Sequence, residues 1–371
     1  MLSHRARANA TVNQLTIARR ARLDLLDLTV SNPTVAGIAY PLDELSEIMA
    51  RAARAPYDPD PLGLPSARQA LAAELGCEPD DLVITASTSE AYSYLFKLLC
   101  DPGDAVLTAT PSYPLLEHLA ELELIELRSF ALEFHQRWEL DPGAVRAALT
   151  SRTRALVVVN PNNPTGSYVT ANEAEALAAL GLPIVSDEVF RDYPLDASPA
   201  PSIARSEVLT FSLGGLSKGA GLPHYKLGWI RVSGPSAARR EAIDALELIA
   251  DNFLSVATPV QIALPELLRI APRIRAAISA RTRQNLEALR TALPKAATVL
   301  PVEGGWSAVV RIPRTAGDEE FVLDLVTHHG VAVHPGYFFD FDREGFIVLS
   351  LLTQRDVFDE GVARIVGVVS G

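Results

Sequence analysis

Leu182-Pro-Ile-Val-Ser-Asp187-Glu-Val-Phe190 is a short apolar run that begins beside a proline and ends in a carboxylate. A run this short, β-branched and closed by polar residues reads as a strand buried on both faces. Working outward, runs of the same kind occur at Asp81 to Thr85, Ala105 to Ala109, Ala155 to Asn160 and Val208 to Ser212, with Pro183 to Ser186 among them. Ala/Leu/Glu-rich segments with helical periodicity separate them. Strands alternating with helices predict a mainly parallel sheet covered on both faces, a three-layer α/β/α domain. Open sheets of this kind bind ligands beyond the carboxyl ends of their strands. The residues that follow each run are therefore the candidates: Ser87-Thr88-Ser89, Pro111-Ser112-Tyr113, Asn162-Asn163-Pro164-Thr165-Gly166, Asp187 and Ser217-Lys218.

From about Ser236 to Arg290 the pattern is almost wholly helical, and Pro259, Pro265 and Pro272 are expected to interrupt it. Beyond this connector, Thr298 to Pro301, Ala308 to Ile312, Val331 to His334 and Phe346 to Leu351 alternate with helical stretches Glu319 to His329 and Arg355 to Val366, a second, smaller α/β unit. Two domains suit 371 residues, since single cores stop growing near 250 to 300 residues. The expected division is an N-terminal segment 1–45 packing with the small domain, a large domain 46–275 and a small domain 276–371.

A net charge of −12 repels phosphate backbones, and no basic patch offsets it, so nucleic acid is not an expected partner. The two cysteines, Cys77 and Cys100, have neither disulfide-framework nor zinc spacing; no metal is expected and a reducing, cytoplasmic setting is. No uncharged apolar stretch is long enough to span a membrane. Arg5, Arg7, Arg19, Arg20 and Arg22 read as a solvated helix face in preference to an organelle address.

Two residues carry chemistry. Asp187 puts a carboxylate at the tip of a buried strand, where it needs a cationic partner; a pyridinium nitrogen is one. Lys218 lies in Phe211-Ser-Leu-Gly-Gly-Leu-Ser-Lys-Gly-Ala-Gly-Leu-Pro223, a strand running into a loop of small residues that lets a planar group approach the backbone. A desolvated lysine there has a lowered pKa and forms Schiff bases. Taken alone, each has an ordinary alternative, a capping Asp or an exposed Lys. Gly219-Ala-Gly-Leu-Pro-His fits neither nucleotide-loop pattern.

Asn163-Pro-Thr-Gly166, Ser186-Asp-Glu-Val-Phe190, Ser217-Lys218 and Leu227-Gly-Trp229, in that order, resemble the fold-type I pyridoxal phosphate-dependent aminotransferases, the aspartate aminotransferase superfamily. Tyr57 with Gly63-Leu-Pro-Ser-Ala-Arg68, and Asp101-Pro-Gly-Asp104 ahead of Tyr113, belong to the same pattern, which extends from about Leu28 to the C-terminus. The resemblance implies pyridoxal 5'-phosphate as cofactor, held as a Schiff base on Lys218, which also moves the proton. It implies Asp187 at the ring nitrogen, Asn163 at the phenolic oxygen, Tyr113 on the ring face, and Thr88, Ser89, Ser217 and Lys226 around the phosphate at a helix N-terminus. Tyr57 reaches the partner subunit's phosphate, so a homodimer follows. Ser31, Asn32, Trp306, His334 and Arg311 are the substrate-side candidates.

The sequence departs from the family pattern at four places. Phe190 replaces the usual tyrosine, Lys226 the usual arginine, and Gly215 a frequent serine three residues before the lysine. In Gly345-Phe-Ile-Val-Leu-Ser350, Val348 stands where relatives carry the arginine that grips the substrate carboxylate; Arg311, Arg343 and Arg355 are the candidate substitutes. The expected function is amino-group transfer between an amino acid or amine and a 2-oxo acid by a ping-pong mechanism. A lyase or decarboxylase on the same fold would use the same Lys218, Asp187 and Asn163. A third reading, a non-catalytic pyridoxal phosphate-sensing module of the kind fused to DNA-binding domains, is not expected, since no helix-turn-helix of adequate length is read ahead of the fold.

Overall fold

The computed structural model describes residues 3, 5, 12–196, 198, 201–254, 256–314 and 317–370. Arg7, one of the N-terminal arginines read as a solvated face, lies outside them. Seven strands form the main sheet: β1 (Leu82–Thr85), β2 (Ala105–Thr110), β3 (Glu126–Ala131), β4 (Thr153–Val159), β5 (Ile184–Asp187), β6 (Thr210–Gly215) and β7 (Gly228–Ser233). Their order is β1-β7-β6-β5-β4-β2-β3, and β7 alone runs antiparallel to its neighbours. One face packs on helices Thr88–Leu99 and Ser236–Asp251 through Val83, Val185, Phe211, Leu95 and Leu246. The other packs on helices Pro142–Ala148 and Ala171–Ala178 through Leu107, Leu156, Ile184, Val145 and Leu177. This is the expected three-layer α/β/α sandwich.

Two strands of the sheet, β3 and β7, are not among the runs singled out in the sequence. Strand β3 is an edge with half of its side chains turned to water, so Glu126, Arg128 and Ser129 hide the apolar signal. Strand β7 alternates, with Ile230 and Val232 buried and Trp229 and Arg231 half-buried, and was legible only as the Leu227-Gly-Trp motif.

The expected proline interruptions do not occur. Thr258–Ala292 is one helix of 35 residues, with Pro259 in its first turn and Pro265 and Pro272 inside it. Each internal proline removes a rung at a cost of roughly 3 kcal/mol. Against that, Val260, Leu264, Leu267, Ile270, Ile274 and Ile278 form a continuous buried stripe, each contributing about 1.5–3 kcal/mol. The stripe first meets helices Leu42–Ala52 and Pro65–Leu75; farther along, Leu286 and Leu289 pack with the C-terminal unit.

That unit is an antiparallel sheet in the order β8-β9-β11-β10, from β8 (Thr298–Val299), β9 (Ser307–Arg311), β10 (His334–Pro335) and β11 (Phe346–Ser350). The run Val331 to His334 is divided. Val331–Ala332 pairs in parallel with Leu26–Asp27, while His334 turns to β11. The helical stretch from Asp318 relaxes into one wider turn over Leu325–His329 before Gly330 ends it. The N-terminal segment is stitched to β11: Ser350 donates its amide to Leu28 O at 2.7 Å and its hydroxyl to Val30 O at 2.5 Å.

Gly166 couples the two units. It sits at φ +72°, its carbonyl accepts the Gly304 amide at 2.9 Å, and an added Cβ would stand 2.3 Å from Val302 Cγ2 and 2.6 Å from Gly304 O. Both the left-handed backbone and the contact exclude a side chain. Gly166→Ala should lose about 2 kcal/mol or more in urea unfolding; an unchanged midpoint and slope would contradict this account of the junction.

Candidate active site

At the carboxyl ends of β4, β5 and β6 the main sheet faces β9, β10 and β11 across a cavity of about 440 Å³, a size typical of small-molecule sites. Ser31, Thr88, Ser89, Tyr113, Asn163, Asp187, Ser217, Lys218, Lys226, Trp306, His334 and Val348 all line it. Residues scattered over three hundred positions are thus brought to one place by the strand ends.

Three candidates are not brought there. Tyr57 is 71% exposed and outside the cavity of the single chain. Asn32 is spent on its own turn, its Oδ1 accepting from the Thr34 amide at 3.0 Å and hydroxyl at 2.8 Å. Arg311 ends β9 four residues beyond Ser307, roughly 13 Å at the rise of an extended chain, and is exposed. Arg343 lies beside Asp342 and over the Phe346 ring, and Arg355 pairs with Asp359, so neither substitutes for it. Among the described residues lining the cavity, the lysine and arginine side chains are Lys218 and Lys226.

Asp187 closes β5 on the same face as Val185, the face covered by helix Thr88–Leu99. There Tyr92 donates its hydroxyl to Asp187 Oδ2 at 3.1 Å, and the Val189 amide reaches Oδ1 at 3.2 Å. Burial pushes the carboxyl up to about 6, against those two donors. Tyr92 follows Thr88 at i+4 on the helix, the signal by which the sequence could have shown it.

Lys218 sits in a single helical turn, Leu216–Gly219, straight after β6. Its Nζ donates to Ser31 O at 3.0 Å and lies 5.1 Å from the Trp306 ring centre and 5.7 Å from that of Phe190. No carboxylate accompanies it, and desolvation lowers it to about 8. Tyr193, fully buried, donates to Lys218 O at 2.6 Å and fixes the turn, and Tyr40 does the same at Gly221 O at 2.6 Å; sequence reading missed both. At Gly215 an added Cβ would stand 3.2 Å from Leu227 O, a tight approach.

Ser87 caps helix Thr88–Leu99, accepting from the Glu90 amide at 3.2 Å. The amides of Thr88 and Ser89, at the first two helical positions, have no intrahelical acceptor and open on the cavity beside Lys226 and Ser217. Asn163 lines the wall between these ends, with its Oδ1 3.4 Å from the Ser307 hydroxyl.

A lone buried carboxylate at one point, an uncompensated amine at another and an anion-binding helix end at a third define a site for a phosphorylated, ring-nitrogen cofactor on an α/β scaffold. The aminotransferase class I and II model matches residues 24–365, and the chain belongs to that family. Nicotianamine aminotransferase 1 of Oryza sativa subsp. japonica is 31% identical over 227 residues, 57% of this chain and 46% of the relative. The S-alkyl-thiohydroximate lyase of Arabidopsis thaliana is 30% identical over 204 residues, 53% of this chain and 44% of the relative. The chain thus spans about half the length, or less, of these curated relatives. Among solved structures, an alanine aminotransferase from Pyrococcus furiosus superposes with a TM-score of 0.90 at 23% identity, covering 100% of both chains, which shows the fold.

The family uses pyridoxal phosphate, and the residues fit it. Asp187 has no cation among the described residues, and a protonated ring nitrogen is the charge it lacks. In the apo protein its raised pKa makes a signed prediction. The protonated form is favoured in the fold, so the contribution is fully present below about pH 4 and is lost as pH rises through 6. Relative to Asp187→Asn, the apo protein should lose roughly 3 kcal/mol between pH 4 and 7, at about 1.4 kcal/mol for each pH unit crossed. Parallel stability curves in denaturant titrations would show that the carboxylate is compensated.

Proposed function

We propose that the protein is a pyridoxal phosphate-dependent aminotransferase that moves an amino group from an amino acid or amine to a 2-oxo acid in two half-reactions. The observation that carries this reading is Lys218: a desolvated amine lowered to about 8, with no carboxylate partner, lining the same cavity as the N-terminal residues of helix Thr88–Leu99. When bound, the cofactor supplies the electron sink that makes a proton on the donor's α-carbon removable. Lys218 would hold the cofactor covalently and, once the donor's amine has displaced it, would be free to take that proton and return it, a task for which an amine titrating near the working pH is suited. Asp187 holds the proton on the ring nitrogen, and Tyr92 keeps the carboxylate aimed. Asn163 holds the ring oxygen and Tyr113 covers the ring face, while Thr88, Ser89, Ser217 and Lys226 hold the phosphate. Phe190 offers the ring oxygen no hydroxyl, leaving Asn163 as its side-chain donor.

The substrate end of the cavity is formed by Tyr113, Leu115, Phe338, Phe339 and Val348. These walls favour an apolar or aromatic side chain, so aspartate and glutamate are poor donors. We place the site in a homodimer, in which the exposed Tyr57 serves the partner subunit's phosphate, and we take 276–371 with the N-terminal segment 1–45 as a small domain beside the large domain 46–275. Packing of Leu15 and Leu28 against Phe358 and Val362 supports that division. Two free cysteines, Cys77 and Cys100, suit a cytoplasmic setting. A lyase is the second reading, favoured by the similarity to the thiohydroximate lyase.

Borohydride should fix the cofactor on Lys218, with the adduct mapped by mass spectrometry, and Lys218→Ala should lose about two to four orders of magnitude of turnover or more. Mapping to another residue would overturn the assignment. In an absorbance screen of donors, alanine or an aromatic amino acid should convert the cofactor to a stable aminated form faster than aspartate does. Release of ammonia and an oxo acid instead would favour the lyase.

A further inference from the structure

The donor's carboxylate lacks a permanent cation. Val348 occupies the arginine's place, the cavity's two lysines are assigned to covalent linkage and phosphate, and Arg311, Arg343 and Arg355 lie elsewhere. The neighbouring strand offers a different group. In the β10–β11 pairing, His334 stands directly across from Val348. Opposed residues of an antiparallel pair project from the same face with Cβ atoms about 4.5–5.5 Å apart, and both line the cavity. The imidazole therefore reaches the space the missing arginine would have served.

Its orientation is set by aromatics: the ring stacks on Phe338 at 4.9 Å and 12°, and meets Phe339 edge-on at 5.6 Å and 89°. The charges around it are few. Arg19, from helix Gln14–Ala21, opposes a proton on the ring and Asp27, from the adjoining Leu26–Asp27 strand, favours one. These two pair with each other at 3.1 Å, so they largely cancel. From β9 and β11 come only the hydroxyls of Ser307 and Ser350, and across the cavity stand Lys218, Lys226 and Asp187. Burial dominates, lowering the ring to about 4 and leaving it neutral near pH 7.

We propose that His334 is the specificity-determining residue for the donor's carboxylate, and that it becomes a cation only as the carboxylate arrives, accepting a proton from solvent in the same event. A buried imidazolium alone and a buried carboxylate alone are each costly; together they enter as a neutral pair with a charge-assisted hydrogen bond. The proton leaves again with the product, and no bond of the substrate is changed by this step. Amines and amino alcohols leave the ring neutral and bind without proton uptake. A second carboxylate on the donor finds no second basic side chain among the described residues at this end. The inference rests on the aminotransferase reading for where the reacting amine sits.

The test uses holoenzyme and two unreactive probes, 3-phenylpropanoate and 3-phenylpropanol, which have no amine and cannot turn over. Calorimetric titration near pH 7 in buffers of different ionisation enthalpy counts protons. The acid should take up about one proton and the alcohol none, and the acid's affinity should weaken about tenfold for each pH unit over the range in which the free ring is neutral and the bound ring is charged. His334→Gln should abolish the uptake, and His334→Arg should bind the acid without uptake and with little pH dependence, the cofactor's absorbance confirming that each variant is folded and loaded. No uptake by the wild type, uptake retained in His334→Gln, or an acid that binds no better than the alcohol at low pH would each overturn the proposal. Uptake at His334 in a protein that transfers no amino group to or from any donor would keep this assignment and sink the aminotransferase reading; transfer without uptake would do the reverse.

Discussion

Asp187 is strongly desolvated at the end of a parallel strand, and the groups that reach it are neutral: a tyrosine hydroxyl and a backbone amide. A carboxylate so placed costs several kcal/mol when ionised, and a fold retains such a charge where something else completes it. The surrounding architecture makes the arrangement possible. Parallel β4, β5 and β6 carry the chain to one edge, helix Thr88–Leu99 covers the face to which Asp187 points, and the same helix presents its free amides to the cavity. One helix thus serves both the acidic and the phosphate end, so the distance between them is set by secondary structure instead of by loops.

The C-terminal sheet completes the cavity from the opposite side, and its strands divide their faces by parity. In β11, Ile347 and Leu349 enter the core shared with Leu28 and Phe358, whereas Phe346 and Val348 face the aromatic cluster of Trp138, Phe339 and Phe341. Position 348 is therefore an apolar core position as well as a cavity wall. His334, from the shorter strand β10, meets the same space with a group that can enter uncharged, which reconciles an aromatic environment with occasional need for charge.

How much of this was legible depended on how a residue announces itself. The strands flanking Asp187 and Lys218 were readable because they are buried on both faces along almost their whole length and interleave β-branched and other apolar residues with only small polar ones before the strand end. Edge strand β3 was not, since half its side chains face water, and the long helix was misjudged because prolines signal breaks locally while its buried stripe acts over 35 residues. Asp187, Lys218, Asn163 and the helix-start residues stand at strand ends, where topology concentrates function. Tyr193, Tyr40 and Ser307 act through bonds made across 25, 181 and 144 positions, which no local pattern encodes. Arg311 looked suitable at a strand terminus, yet it was the wrong terminus: β9 presents Ser307 to the cavity and carries Arg311 away.

Lys218 shows why the site is walled with rings and not with acids. An amine that must be both nucleophile and proton carrier needs to be uncharged part of the time, and an adjacent carboxylate would hold it protonated. Phe190 and Trp306, packed edge-to-face at 5.2 Å, instead offer their π faces, an attraction of about 0.5–2 kcal/mol that neither fixes a proton nor competes with a covalent partner. Tyr193 completes the arrangement by packing against Trp306 at 5.0 Å while its hydroxyl binds the backbone of Lys218. The turn is thereby rigid and its side chain unencumbered. The cost is visible in Trp306, whose indole N–H is buried without a protein partner among the described residues, an unfavourable term of about 1–3 kcal/mol accepted where the ring face, and not its edge, is the functional surface.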